Sequence, residues 1–312
     1  MIIRRLVSLS VLAVVTVILY GLAPALFVLA LIGSALPRFR TLPHALAFAL
    51  GFLFYECTGV LRLGWLWLRY RNGADYMARN QQVQYWWAGG LLNLGIRLYD
   101  LSIEITGEQA IDGPSALVIA RHTSIADTVL PMIYFAERRG EGMRYILKRE
   151  LVKMPCLDIA GHRLPNLFVD RSGADTDKEL AAIRVLTTRA GESESVLLYP
   201  EGTRYTPQKH ARLRASRPAL AEQLDRWPDL LPPRLGGVTA MLDANPGKDV
   251  VFLAHTGFEG SASLTDLMNG SWHGQRVRLR FWRVPYALIP DDHTSFMFNH
   301  WNEMQRQVAA NP

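Results

Sequence analysis

The chain of 312 residues is long enough for one large or two modest domains with a substantial buried core. Hydrophobic residues make up 49% of it, which is high for a soluble enzyme, and two cysteines without metal-ligand spacing exclude a disulfide framework. The net charge of +6 accompanies no nucleic-acid-binding motif, so we expect no nucleic-acid partner and a basic face toward anionic lipid headgroups.

The apolar residues are concentrated in the first 70 positions. Residues 6–36 are almost wholly apolar and exceed the roughly 20 residues that cross a bilayer, and a second apolar run covers about residues 45–68. We therefore predict a two-helix membrane anchor over residues 1–72. It is either a spanning hairpin or, if residues 21–24 break the first run, an anchor inside one leaflet.

The charged residues of this segment indicate its orientation. Both forms of the anchor return the chain to its starting side, and basic residues at the flanks favour the cytoplasmic face for that side. These residues are Arg4, Arg5, Arg69 and Arg71, whereas Arg38 and Arg40 between the two runs weaken the bias. Glu56 and Arg62 interrupt the second run, and we expect them near the membrane interface or on the protein surface.

Residues 73–312 alternate between strand and helix patterns, which predicts an α/β domain with a mostly parallel central sheet flanked by helices. The predicted strands are residues 102–106, 116–120, 143–147, 167–171, 196–199, 250–254 and 277–284. The predicted helices are residues 73–98, 176–189 and 294–309, with a further helix that begins near Ile125.

A histidine and an aspartate follow the second predicted strand. His122 stands where that strand ends, and Asp127 falls in the first turn of the next helix. The connecting turn allows the imidazole to fold back onto the carboxylate, which would fix its tautomer and stabilise the imidazolium. A structural histidine is an equal alternative at this point, because such spacings also arise by chance in a chain with eight histidines.

Two more strands end in charged turns. Asp170-Arg171 follows one, and Glu201-Gly202-Thr203-Arg204 follows the other. Ligands of open α/β sheets bind outside the carboxyl ends of the strands, so these turns and His122 are expected to converge. Two guanidinium groups suit a phosphate, which arginine grips bidentately, and Gly202 allows close approach of the backbone.

The ordered set of His122, Asp127, Phe168-Val-Asp-Arg171 and Glu201-Gly-Thr-Arg204 resembles the glycerolipid acyltransferases typified by 1-acylglycerol-3-phosphate acyltransferase. The flanking segments are similar to the eukaryotic-type lysophospholipid acyltransferase branch. They are Lys148-Arg-Glu-Leu151 before Met154-Pro155, Leu231-Pro-Pro-Arg234-Leu-Gly-Gly237, and Ile289-Pro-Asp-Asp292 through Trp301. The likeness runs from about residue 100 to the end, and it departs from the family at Arg121, where a neutral polar residue is more common.

This resemblance implies acyl transfer from acyl-CoA or acyl carrier protein to the free glycerol hydroxyl of a lysophospholipid, first of all lysophosphatidic acid. His122 would be the base and Asp127 its partner, with Arg171 and Arg204 on the acceptor phosphate. Glu201, Gly202 and Thr203 would join that phosphate site, although Glu201 alternatively fixes the turn or Arg204. Further anion contacts are assigned to Arg121 and Lys148.

Other assignments stay open. Backbone amides after His122 or around Gly202 are candidate oxyanion donors, and no metal or redox cofactor is indicated. His255 at the end of a later strand is interpreted as a structural or rim residue, and no chemistry is assigned to Arg234. Alternative functions are acylation of a lysophospholipid with a larger headgroup, hydrolysis of a thioester or lipid by the same pair, and lipid binding without catalysis.

Overall fold

The computed structural model describes residues 2–169, 176–259, 266, 268 and 270–310, with Arg38 described by its backbone alone. Within these residues the chain forms two compact units. The first unit combines residues 1–101, 147–168 and 264–274, and the second holds the remainder. The predicted boundary at residue 72 concerns membrane anchoring, which this grouping does not test, so it stays a prediction.

Among its described residues, the first unit has four α-helices: α1 (Ile2–Gly33), α2 (Leu42–Tyr70), α3 (Tyr76–Tyr99) and α4 (Pro155–Arg163). By length and composition, α1 and α2 are able to cross a membrane. The alternative in which residues 21–24 break the first run is wrong, because α1 continues through Pro24. Pro24 has no backbone N–H and therefore removes one helical hydrogen bond, but this loss does not interrupt the 32-residue helix.

The expectation that Glu56 lies at an interface or surface is also wrong, because its side chain is 1% exposed. Its two carboxylate oxygens accept from Trp87 Nε1 at 3.0 Å and from the backbone N–H of Cys156 at 3.2 Å. A buried carboxyl must find such partners, and here it joins α2 to α3 and to the start of α4. The guanidinium of Arg62 lies 3.9 Å from the centre of the Trp86 ring.

The second unit is organised on a mostly parallel sheet, which confirms the predicted fold class. In the described residues the strands of the chain are β1 (Ser102–Thr106), β2 (Ala116–Ala120), β3 (Gly142–Lys148), β4 (Leu167–Val169), β5 (Glu194–Leu198), β6 (Asp249–Thr256) and β7 (Arg276–Val284). Their order is β1-β7-β6-β2-β5-β3-β4. The last two residues of β3 and the first two of β4 fall in the first unit. Strands β6, β2, β5 and β3 run parallel to one another, and β1 runs parallel to β7. The two groups run in opposite directions, because β6 pairs antiparallel with β7.

Helices accompany this sheet along the chain. They are α5 (Thr176–Thr188), α6 (Pro207–Ser216), α7 (Ala221–Arg226), α8 (Leu235–Asp243) and α9 (His293–Ala309). The helix expected from Ile125 is instead a 3₁₀ turn, Asp127–Val129, followed by a short π-helical segment, Met132–Ala136. All five residues of β2 are buried, which explains their continuous apolar run.

Candidate active site

His122 and Asp127 form a hydrogen-bonded pair just beyond the carboxyl end of β2. His122 Nδ1 lies 2.8 Å from Asp127 Oδ1, and Oδ2 accepts the backbone N–H groups of Thr123 and Ser124 at 2.5 and 2.7 Å. Because an ionised carboxylate only accepts, Nδ1 carries a proton, and in the neutral imidazole Nε2 has the lone pair that a general base needs. Nε2 has no partner within the described part of the chain, and the His122 side chain is 13% exposed.

The surroundings of Asp127 keep it ionised. Burial by itself would raise its pKa, but the charge and hydrogen bond of His122, with those of His255, bring that pKa well below its ordinary value. The carboxylate is therefore able to stabilise an imidazolium at position 122. Tyr199 packs beside the pair, with its ring centroid 4.7 Å from that of His122 and a hydroxyl that donates to Asp127 O at 3.2 Å.

Strand register explains which residues surround His122. Ile119 is aligned with Leu198 of β5, and Ala120 with Leu253 of β6. Continued past the strand ends, these two registers place His122 opposite Glu201 on one side and opposite His255 on the other. Both neighbours make contacts that the sequence did not indicate.

Glu201 holds the backbone of the active-site turn. Its Oε2 accepts the N–H of His122 at 2.8 Å, and its Oε1 accepts the N–H of Leu231 at 3.2 Å. Its side chain is buried, and burial raises its pKa to about 8, against the opposing effects of Arg121 and of the two backbone donors. This placement favours the alternative that Glu201 fixes the turn, rather than contact with a substrate phosphate.

The turn of residues 201–204 lies directly beside His122, because the N–H of Tyr205 also donates to His122 O at 2.7 Å. Gly202 has a φ of +69°, which a glycine adopts without strain. Thr203 Oγ1 and Arg204 O accept from Lys209 Nζ at 3.1 and 2.8 Å. The half-buried side chain of Arg204 makes no ion pair with any described residue. The structure thus brings the turn that carries one predicted phosphate ligand next to the predicted base.

The other predicted anion contacts are placed differently. Arg121 is buried, and it donates to His255 O at 2.6 Å, to Asp229 O at 2.9 Å and to the carboxylate of Glu259. The structure therefore gives Arg121 a role in joining segments, which does not suit contact with a substrate. Lys148 ends β3 and belongs to the first unit, so its role stays a prediction, and Arg171 lies outside the described residues.

Most of the candidate oxyanion amides are already in use. The N–H groups of Thr123 and Ser124 serve Asp127, that of His122 serves Glu201, and that of Gly202 donates to Tyr199 O at 3.1 Å. Among the described residues, the amides of Thr203 and Arg204 have no acceptor. The donors closest to the base by chain position are therefore not free, and the 203–204 amides remain as candidates.

Of the two interpretations of His255, the structure excludes a rim position and leaves a structural one. Its Nε2 lies 3.0 Å from Arg121 O and 3.4 Å from Asp127 Oδ2, and its side chain is 1% exposed. Two imidazoles therefore flank one carboxylate, which the sequence did not indicate. Even so, no group of three or more His, Cys, Asp and Glu side chains is arranged for a metal ion in the described part of the structure.

Comparison with known proteins shows a likeness to one family. Residues 102–248 match the family model described as Acyltransferase. Mouse 1-acyl-sn-glycerol-3-phosphate acyltransferase epsilon is 24% identical over 164 residues, which are 52% of this chain and 45% of the mouse protein. The chain thus spans about half the length of this curated relative.

A solved structure shares the fold. The crystal structure of the 1-acyl-sn-glycerophosphate (LPA) acyltransferase PlsC from Thermotoga maritima matches 88% of this chain and 99% of its own, with a TM-score of 0.58 at 15% identity. The matched family segment holds His122, Asp127 and the 201–204 turn. Residues 102–248 are accordingly similar to the Acyltransferase family, and this likeness covers 147 of the 312 residues.

Proposed function

We propose that this protein is a membrane-bound enzyme that moves a fatty acyl group from an acyl thioester to the free glycerol hydroxyl of a lysophospholipid, with lysophosphatidic acid as the first candidate acceptor. The single observation that carries the proposal is the pair formed by His122 and buried Asp127, with Nε2 of the imidazole open and an arginine-bearing turn beside it. The names of the mouse relative and of the solved structure support the acceptor class.

The chemistry follows from the open nitrogen. His122 Nε2 takes the proton of the acceptor hydroxyl as its oxygen attacks the thioester carbonyl carbon. When the C–S bond breaks, the proton on Nε2 passes to the leaving thiolate, so the imidazole is neutral again after each turnover. Asp127 stabilises the imidazolium in between. A thiolate leaves readily, so the reaction needs no covalent acyl-enzyme.

The acceptor phosphate is assigned to the 201–204 turn. Arg204 supplies a guanidinium without an acidic partner in the described residues, and the unpaired amides of Thr203 and Arg204 add two neutral donors. Charge-assisted hydrogen bonds of this kind are the strong ones in phosphate recognition. Arg171 is proposed as the second guanidinium, as the resemblance implies. Glu201 positions this turn through the backbone and is not itself a phosphate ligand.

The membrane part of the proposal is supported by the first two helices. Most side chains of α1 are exposed and apolar, which a lipid environment tolerates and water does not. We propose that the acyltransferase domain lies on the cytoplasmic face. The support for this orientation comes from the basic residues Arg69 and Arg71. Arg4 and Arg5 support it less directly, because they form ion pairs of 2.7 and 2.8 Å with Asp158 of α4.

One assay tests the function. Purified protein in mixed micelles receives labelled acyl-CoA, or labelled acyl carrier protein, and a panel of lysolipids, with products separated by headgroup. We expect transfer to lysophosphatidic acid and a loss of about 10²–10⁴-fold in kcat for His122→Ala. His293→Ala is the matched control, because its Nδ1 also lies 2.9 Å from an aspartate, Asp243, but this aspartate is exposed.

Each alternative has its own outcome in the same assay. Preference for lysolipids with a larger headgroup would change the acceptor while it preserves the mechanism. Release of free fatty acid at the full rate without any acceptor would identify a hydrolase. Normal turnover by the His122→Ala protein would remove His122 from the chemistry, and an absence of turnover in all conditions would favour lipid binding alone.

A further inference from the structure

The side chain of Arg234 lies across the glycine of the 201–204 turn. A methyl group added to Gly202 would stand 2.8 Å from Arg234 Nε, 2.9 Å from Cδ and 3.0 Å from Cζ. The guanidinium therefore rests on the backbone of this turn at the position that only a glycine leaves open. Gly202 thus has two constraints, its positive φ and the arginine that covers it.

The backbone that carries Arg234 is fixed to the same turn. The N–H of Arg234 donates to Pro200 O at 2.8 Å, and the N–H of Leu231 donates to Glu201 at 3.2 Å. Leu231 O in turn accepts from Trp301 Nε1 of α9 at 3.1 Å. These contacts fix the backbone of the 231–234 segment before any ligand arrives, which lowers the entropic cost of binding at its arginine.

Arg234 is exposed, and no carboxylate in the described part of the chain pairs with it. Arg204, two residues after Gly202, is half-buried and likewise has no carboxylate partner among the described residues. The guanidinium of Arg234 thus lies against the short turn that carries Arg204 and the unpaired amides of Thr203 and Arg204. Donors of fixed geometry, with positive charge and no internal acceptor, suit a phosphate group.

We propose that Arg234 and Arg204 together bind a substrate phosphate on the 201–204 turn, so that Arg234 is a substrate-binding residue of this enzyme. The inference rests on the proposed function and deepens it. The phosphate belongs either to the lysolipid acceptor or to the donor, since acyl-CoA and acyl carrier protein both carry phosphates. The guanidinium of arginine can form two parallel hydrogen bonds with one phosphate group, whereas a lysine in the same place supplies only a point charge.

The test compares Arg234→Ala, Arg234→Lys and a matched control, Arg189→Ala. Arg189 is also exposed, has no ion pair with a described residue, and follows α5 before the amino end of β5, away from the carboxyl ends of the strands. For Arg234→Ala we expect KM for one phosphate-bearing substrate to rise by about 10- to 100-fold with kcat little changed. Arg234→Lys recovers part of this loss, and Arg189→Ala behaves as the wild type.

Two substrates distinguish the source of the phosphate. If the acceptor supplies it, KM for lysophosphatidic acid rises in Arg234→Ala whether the donor is acyl-CoA or the phosphate-free thioester of N-acetylcysteamine. If the donor supplies it, KM for acyl-CoA rises, and the defect disappears with the phosphate-free thioester. Unchanged KM values for every phosphate-bearing substrate would overturn the inference.

A direct titration separates this inference from the proposed reaction. Lysophosphatidic acid and acyl-CoA are titrated into the wild type and Arg234→Ala in detergent, and binding is followed by fluorescence without turnover. A wild type that binds one of them while Arg234→Ala binds about 10-fold more weakly or worse supports the site, even if no acyl transfer occurs. Equal affinities of the two proteins for both ligands contradict it.

Discussion

His255 Nε2 lies 3.4 Å from Asp127 Oδ2, on the carboxylate oxygen that His122 does not use. Its shorter contact, 3.0 Å, is with Arg121 O, so one N–H is shared between a carbonyl and the carboxylate. The second imidazole thus joins β6 to the turn that follows β2 and contacts Asp127, the partner of the proposed base. We assign His255 a positioning role.

This role predicts a rate defect without a binding defect. His255→Phe removes the shared donor, and we expect kcat to fall about tenfold, because a hydrogen bond shared with a charged group contributes roughly 1.5 kcal/mol. KM for both substrates should stay near the wild-type value. His255→Gln keeps an N–H donor and should recover part of kcat. A fall in stability alone, with kcat and KM unchanged for the folded fraction, would contradict positioning.

Glu201 predicts a pH-dependent stability. Burial raises its pKa from 4.5 to about 8, so the folded protein binds this proton more tightly than the unfolded chain does. The stability contribution of this group therefore falls as the pH rises from about 4.5 to about 8. Unfolding of the detergent-solubilised wild type and Glu201→Gln should show the wild type losing stability relative to the variant across this window. A difference that is constant or grows with pH would contradict the assignment.

Glu201→Ala provides the complementary measurement. It leaves the N–H groups of His122 and Leu231 without their acceptor, and an unsatisfied buried donor costs about 1–3 kcal/mol. We expect this variant to be less stable than Glu201→Gln, which keeps one acceptor oxygen. Equal stabilities of the two variants would mean that the backbone contacts of Glu201 contribute little.

The sequence is sufficient for the sheet and for one half of the site. Continuous apolar runs predict the strands, and the spacing from His122 to Asp127 predicts their contact, because both signals are local. The partners of Glu201 and His255 depend instead on which strands are neighbours. Glu201 lies 79 residues after His122, and His255 lies 134 residues after Arg121, so no local pattern encodes these contacts.

Arg234 shows a second limit of the sequence. It stands in a Pro-Gly-rich turn whose composition suggests no chemistry, and its contact with Gly202 exists only because two distant turns pack together. Glu56 shows the same limit in the first unit, since a carboxylate in an apolar run does not reveal the Trp87 and Cys156 donors that permit its burial. Polar contacts between distant segments are what the sequence leaves undetermined.

Asp127→Asn tests whether Asp127 fixes the tautomer of His122. The amide keeps the size of the side chain but no longer requires a proton on His122 Nδ1, so we expect kcat to fall by about 10²–10⁴-fold. The pKa of Asp127 lies well below its ordinary value, so the carboxylate stays ionised under mildly acidic conditions. The ratio of wild-type to variant kcat should therefore be constant between about pH 5 and 8. A ratio that collapses well above about pH 4 would show that Asp127 gains a proton there.

The lowered pKa of Asp127 also sets the direction of its effect on stability. A carboxyl group with a depressed pKa contributes stability above its unfolded pKa, here about 3.8, and that contribution is lost as the pH falls below it. We expect the wild type to exceed Asp127→Asn in unfolding free energy at neutral pH, by an amount that shrinks only under acid conditions. Chemical unfolding of the two proteins in the same detergent at several pH values measures this difference in unfolding free energy.

Gly59 predicts a tight contact between α2 and α4. A methyl group added there would lie 2.5 Å from Cys156 Sγ, whereas one added at Gly64 of the same helix would meet nothing within 4 Å. We expect Gly59→Ala to destabilise the protein by about 1–3 kcal/mol, because the buried thiol has little room to move. Gly64→Ala is the matched control and should be neutral or slightly stabilising.

A second substitution makes this prediction specific to the thiol. In Cys156→Ala the nearest remaining atom of that side chain, Cβ, is 3.6 Å from the added methyl group, an ordinary contact distance. Gly59→Ala should therefore cost less stability in the Cys156→Ala background than in the wild type, by about 1 kcal/mol or more. The measurement is a double-mutant cycle: thermal unfolding, in one detergent, of the wild type, the two single variants and the double variant. Equal costs in the two backgrounds would mean that α2 and α4 are not packed through Gly59 and Cys156.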